Sequence, residues 1–177
     1  MTVTEPPVRL RPMELADAVR VREWRNLPDV ARYMYTDHEI TEAEHARWFG
    51  SMLGSPTHRY WIIELDEVPV GLANLYDVSS VHQRAYWAFY LADPMVRGRG
   101  VGGFTERFVL RYVFEELGLH KLCCEVLSSN PAVVAMHEKF GFHIDGTLPQ
   151  HRVTKLSPRP AGPEELSELF RKSLTIW

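Results

Sequence analysis

Asp93-Pro-Met-Val-Arg-Gly-Arg-Gly-Val-Gly-Gly103 decides how this chain is read. The stretch sets two arginines and four glycines between an apolar run ending at Leu91 and a periodic segment reaching Leu117. That order predicts a strand, a tight loop and a helix. Glycines let backbone N–H groups close around an anion, and the positive helix start adds to the charge of Arg97 and Arg99. The guest this predicts is a pyrophosphate. Glycine-rich turns also serve packing alone, so the spacing has to discriminate.

Neither a loop ending in Gly-Lys-Ser/Thr nor a G-x-G-x-x-G fingerprint is present. The pattern R-x-x-G-x-G from Arg97 to Gly102 instead resembles the acyl-CoA pyrophosphate loop of the GNAT acetyltransferase superfamily. Downstream, Asn130-Pro-Ala-Val-Val-Ala-Met-His-Glu-Lys-Phe-Gly-Phe142 resembles that superfamily's second signature. Two motifs in the right order discriminate better than either alone, and the resemblance spans roughly residues 8 to 148.

Working outward, 177 residues with 45% hydrophobic content suit one compact domain, here an N-acetyltransferase domain over residues 1–177. A formal charge of −3 gives no general attraction to nucleic acid or to an anionic membrane. No apolar run is long enough for a bilayer span, and the opening MTVTEPPVRL lacks a signal-peptide core, so a cytoplasmic location is expected. Cys123 and Cys124 are adjacent in a buried strand and read as free thiols filling the core. No metal is expected, and a homodimer is admitted.

Val8–Arg11 alternates as a strand, ended by Pro12. Leu15, Val19 and Trp24 give helical spacing up to Asn26, where Leu27-Pro28 breaks it. Tyr33–His38 is an irregular aromatic loop, either a packed turn or a substrate wall. Thr41 caps a helix running to about Leu53, with Gly54 as terminator. Strands over 60–65, 70–78 and 84–91 form an antiparallel meander. Val101, Phe104, Phe108, Tyr112 and Val113 form the stripe of the helix after the glycine loop. A buried strand over 119–127 follows, then a helix capped by Asn130 and closed by Gly141, then a strand over 142–147. Pro-rich Arg152 to Glu168 reads as a lid or surface excursion, and Phe170 to Trp177 as a final strand. The fold class is α+β, a mixed and mostly antiparallel sheet with helices on its faces.

The GNAT resemblance adds a V-shaped splay between strands 4 and 5, where pantetheine of acetyl-CoA bonds backbone at Tyr90 and Leu91. It assigns the pyrophosphate to Arg97, Gly98, Arg99, Gly100, Val101 and Gly102, with Asn130 beside the cofactor. It puts His137 where many relatives carry a proton-donating tyrosine. An ordinary imidazolium is about two units more acidic than an alkyl thiol, so donation to a departing thiolate is downhill by about 2.7 kcal/mol. Glu125 is the candidate general base, with His38, Asp37, Glu64 and Tyr86 weaker; His120 reads as structural, and water can also take the amine proton. Trp24-Arg-Asn26, Tyr33–Ile40, Ala73–Asp77 and Arg84–Tyr90 are similar to the UDP-4-amino-4,6-dideoxy-sugar N-acetyltransferases of the pseudaminic acid pathway. That likeness makes Met34, Tyr35, His38, Asn74 and Tyr76 contacts for an amino-sugar nucleotide. Two further readings stay open: acetylation of a protein N-terminus or an aminoglycoside, and a non-catalytic acyl-CoA-binding module. An acidic trench would favour cationic acceptors; an apolar pocket bearing arginine would favour a nucleotide.

Overall fold

Short alternating strands joined by tight turns dominate the first half of the chain. The computed structural model describes residues 7–36, 38–148 and 153–158. Strand β1 (Val8–Pro12) pairs antiparallel with β2 (Arg59–Leu65) from Val8↔Leu65 to Pro12↔Trp61. β2 pairs antiparallel with β3 (Val68–Ser79), and their two-residue turn puts both Asp66 and Glu67 at positive φ, 52° and 64°. A hairpin of that length needs such a turn to match the strand twist, so this backbone strain is set by the sheet. β4 (Arg84–Leu91) follows, and β5 (Lys121–Leu127) runs parallel to it in register from Arg84↔Lys121 to Trp87↔Cys124. A parallel neighbour requires a crossover, which the helix after the glycine loop supplies. β6 (Phe142–Leu148) and β7 (Val153–Pro158) complete a seven-stranded order β1-β2-β3-β4-β5-β7-β6.

The helices are α1 (Ala18–Asn26), α2 (Pro28–Ala31), α3 (Glu42–Met52), α4 (Val101–Arg111) and α5 (Pro131–Lys139). Thr41 caps α3 as its sequence predicts, its hydroxyl accepting from Glu44 N at 3.2 Å. The predicted break at Leu27-Pro28 is real, but Pro28 also opens α2, where a fixed φ and a missing N–H cost nothing.

The described residues fall in two compact units through which β3 and β4 both run. In the unit of residues 7–76 and 89–102, Met13, Val21, Phe49, Ile62 and Leu72 form a core edged by Trp24, Trp48, Tyr60 and Tyr90. Glu64 is held there by Arg9 at 2.6 Å and Arg11 at 2.8 Å, and Arg11 also reaches Asp17 at 2.7 Å. In the unit of residues 77–88 and 103 onward, Trp87, Val109, Val113, Leu122 and Phe142 are buried.

Three expectations are corrected. The core face of α4 is Val101, Thr105, Glu106, Val109 and Leu110, while Phe104 and Phe108 are half-buried. Phe108 stacks on Tyr112 at 6.2 Å, so those aromatics pair with each other along the flank. Helicity then widens into a π turn at Tyr112–Glu116. Finally, the excursion expected from Arg152 contains β7, paired antiparallel with both β5 and β6. The strand expected at Phe170–Trp177 lies outside the described residues.

Candidate active site

The glycine loop begins with a tight turn at Pro94–Val96, fixed by the Asp93 carboxylate accepting from Met95 N at 2.8 Å. Val96 is buried and anchors the turn, while Arg97, Gly98 and Arg99 are exposed. Gly98 and Gly100 adopt φ of 77° and 79°, a conformation any side chain would strain. Their alternation with Arg97 and Arg99 curls the backbone into α4, whose first-turn N–H groups have no partner inside the helix. Arg99 reaches Asp66 at 3.4 Å on the surface. Val101, now buried, roots the start of α4.

Tyr90 and Leu91 end β4 close beside β3. A Cβ on Gly71 would run into the Tyr90 carbonyl oxygen, so glycine at 71 permits the approach that leads β4 toward the loop. The Tyr90 hydroxyl is buried without a hydrogen-bond partner, and burial pushes it well above the ordinary phenol range. The Tyr90 ring meets Trp24 edge-on at 6.5 Å.

Beside that hydroxyl lies Arg25, half-buried, with Thr36 Oγ1 at 3.2 Å. Burial draws its guanidinium below the usual value, the Tyr90 and Tyr60 hydroxyls acting in the other direction. No ion pair to Arg25 is formed among the described residues. Asn74 lies directly across from Tyr60 in the β2–β3 ladder, and burial raises the Tyr60 hydroxyl above its ordinary value, with Asn74, Arg25 and Trp48 opposing the shift. Trp48 stands edge-on to Tyr60 at 5.4 Å and touches His45, whose imidazole burial keeps less basic than usual. The Asn26 amide clamps Ile40 in both directions, at 3.0 and 2.9 Å, and so holds the aromatic loop against α1.

The expected acceptor contacts therefore separate. Asn74 belongs to this aromatic and cationic surface, and Met34 and Tyr76 are half-buried. Tyr35 is 67% exposed, and His38 pairs with Glu44 at 3.1 Å on the surface. Asp37 lies outside the described residues. Glu64 is committed to Arg9 and Arg11, so its part is structural. Tyr60 escapes a motif search, and Arg25, though inside the Trp24-Arg-Asn26 stretch, was not marked as a site residue; the unusual feature that could have marked it is a cation on the inward side of an amphipathic helix.

His137 is 2% exposed on α5. Its Nδ1 lies 2.7 Å from Oε1 of Glu106, which is fully buried on α4. Trp87 and Phe142 rings pack on the imidazole at 5.3 and 5.2 Å. Burial raises the Glu106 carboxyl above its usual range, with His137 opposing the shift. Asn130 opens α5 without a side-chain cap bond, contrary to the capping expected of it, and its N–H donates to Leu127 O at 2.8 Å. Glu125 is half-buried on β5, opposite Lys155 of β7 in register. Tyr86 is half-buried and His120 exposed. Among the described residues no cluster of His, Cys, Asp or Glu could hold a metal ion, and no helix is long and apolar enough to cross a membrane.

A family model described as an acetyltransferase (GNAT) domain matches residues 8–143. The chain is a GNAT acetyltransferase. Spermidine N(1)-acetyltransferase of Escherichia coli is 27% identical over 141 residues, covering 80% of this chain and 75% of that protein. Acetyltransferase PseH of Campylobacter jejuni is 25% identical over 122 residues, covering 69% and 74%. The spermidine N-acetyltransferase of Vibrio cholerae, solved with CoA and spermine, superposes with a TM-score of 0.78 at 21% identity, covering 85% of this chain and 94% of that one. This GNAT protein is thus an acetyl-CoA-dependent N-acetyltransferase with a single GNAT-like α+β domain.

Proposed function

We propose that the acceptor is the amino group of an amino-sugar nucleotide of the UDP-4-amino-4,6-dideoxy sugar type. The observation that carries this reading is Arg25, half-buried among the hydroxyls of Thr36, Tyr60 and Tyr90 without a carboxylate partner among the described residues. A desolvated guanidinium is stabilised by an anionic guest and repels a polycation. Trp24, Trp48 and Tyr60 add faces suited to a sugar or a base. The likeness of Trp24–Asn26 and Ala73–Asp77 to sugar-nucleotide acetyltransferases supports the same acceptor.

In this reading Arg97 and Arg99, with the amides from Gly98 to Gly102, hold the pyrophosphate of acetyl-CoA. Tyr90 and Leu91 offer backbone to pantetheine, and Asn130 contributes its amide. Arg25, Asn74 and Met34 orient the acceptor, with Tyr35, His38 and Tyr76 at its outer contacts. The neutral amine attacks the thioester carbonyl; Glu125 or water takes its proton, and His137 protonates the departing sulfur.

Polyamine acetylation is the rival reading, because the Escherichia coli relative is named a spermidine acetyltransferase. Release of CoA thiol across a panel of UDP-amino sugars, spermidine, aminoglycosides and peptides decides between them. The highest kcat/KM is expected for a UDP-amino sugar. Arg25→Gln should raise its KM at least tenfold and leave the KM for acetyl-CoA unchanged. Preferred turnover of spermidine would replace the amino-sugar reading.

A further inference from the structure

The segment Ser55–His58, between α3 and β2, is tied down more heavily than a surface connection needs. Ser55 N donates to Met52 O at 3.1 Å, which closes the chain after α3. Arg59 then directs a single guanidinium nitrogen, Nη1, at the carbonyls of Ser55, Pro56 and His58, at 3.1, 3.4 and 2.6 Å. The Ser55 and Thr57 hydroxyls both come to 3.0 Å from His58 Nδ1 and lie 3.4 Å from each other. With the ring proton on Nε2 the hydroxyls donate to Nδ1; with it on Nδ1 their oxygens accept it. In either tautomer the plane of the imidazole is held.

That plane lies parallel to the Tyr60 ring, at an interplanar angle of 0° with centroids 6.3 Å apart. From α3, Trp48 meets the same phenol edge-on, at 89° and 5.4 Å. A tyrosine turns about χ1 and χ2, and a flat contact and an edge contact from different elements together select one orientation. Covering the phenol face alone would not call for this arrangement. A leucine or methionine shields an aromatic ring without needing two hydroxyls beside it, and His58 is only half-buried.

The other end of Tyr60 is where the orientation matters. Its hydroxyl lies within electrostatic reach of Arg25 and Tyr90, and the β2–β3 ladder sets Asn74 across from it. All of these residues, from Trp24 to Tyr90, belong to one compact unit. We propose that His58, locked by Ser55 and Thr57, is a positioning residue for acceptor binding: it fixes the Tyr60 ring so that the hydroxyl is presented to the acceptor beside Arg25. The inference rests on the reading that this surface receives the acceptor, and not on which amine is bound.

Steady-state kinetics on the full chain test this, with a UDP-4-amino-4,6-dideoxy sugar as acceptor or, should it turn over better, spermidine. His58→Ala should raise the acceptor KM about three- to tenfold, the scale of one neutral hydrogen bond, and leave the KM for acetyl-CoA within twofold. Tyr60→Phe keeps the ring and removes the hydroxyl, so it should do the same. Because His58 acts through Tyr60, the double variant should be no worse than the worse single. Ser55→Ala combined with Thr57→Val leaves the imidazole in place but unlocked, and should reproduce part of the rise.

An unchanged acceptor KM in His58→Ala, a parallel rise for both substrates, or effects that multiply in the double variant overturns the proposal and leaves His58 a loop anchor. Arg25→Gln then separates two causes. An acceptor KM that it also fails to move puts the acceptor elsewhere, whereas one that it does move leaves the surface standing and removes only His58. Should His58→Ala fail to fold, the Ser55→Ala and Thr57→Val pair decides by the same comparison of the two KM values.

Discussion

At the level of single residues, the strongest expectation concerns Arg97, exposed beside two glycines held at positive φ. Truncation to alanine removes one charge-assisted contact to phosphate and should weaken acetyl-CoA binding by about 1–3 kcal/mol in calorimetry. An unaltered affinity would take the guanidinium out of pyrophosphate recognition. Arg97 was legible because its spacing to Gly100 and Gly102 follows from anion chemistry alone. Glu106 was not, since a helical stripe read from Phe104 and Phe108 points the wrong face inward, and its burial beside Thr105, Val109 and Leu110 depends on tertiary packing. Arg25 was half legible: Trp24-Arg-Asn26 stood out, but its neighbours Tyr60 and Tyr90 come from distant strands.

Elements were read best where a pattern and a punctuating residue agree. The strands from Arg59 to Leu91 were placed within two residues, because alternation and the turns at 66–67 and 80–83 coincide. β7 was missed because Val153–Pro158 is short and proline-bounded, and its register depends on β5 and β6 on either side. Gly71 carries an expectation at this scale. Replacing it by alanine sets a methyl against the Tyr90 carbonyl, so β3 or β4 has to shift. Overpacking of this kind costs about 1–3 kcal/mol, to be read as a lower urea midpoint. An unmoved midpoint would show that β4 tolerates the displacement.

For the molecule as a whole, the network of Arg9, Arg11, Glu64 and Asp17 links stability to pH. Contact with Arg11 holds Asp17 below the usual carboxylate range; burial alone would raise Glu64, but Arg9 and Arg11 outweigh it and hold it low. Depressed folded-state values contribute stability above the unfolded pKa of about 4, and that contribution disappears as pH falls through the folded values. Tm should therefore fall more between pH 6 and pH 3 in wild type than in Glu64→Gln. Parallel curves for the two proteins would mean the arginines do not act through this carboxylate.

The placement of Cys123 and Cys124, 7% and 2% exposed on β5, has a practical side. Ellman-type reagents report liberated CoA by colour, and cysteines on the catalyst usually contaminate that signal. Here both sulfurs are sequestered and Cys124 resists ionisation, so the intact enzyme should contribute a flat blank while every turnover is counted. The same silence doubles as a quality gauge: two equivalents of colour appearing without substrate would announce a damaged preparation before any kinetics were run.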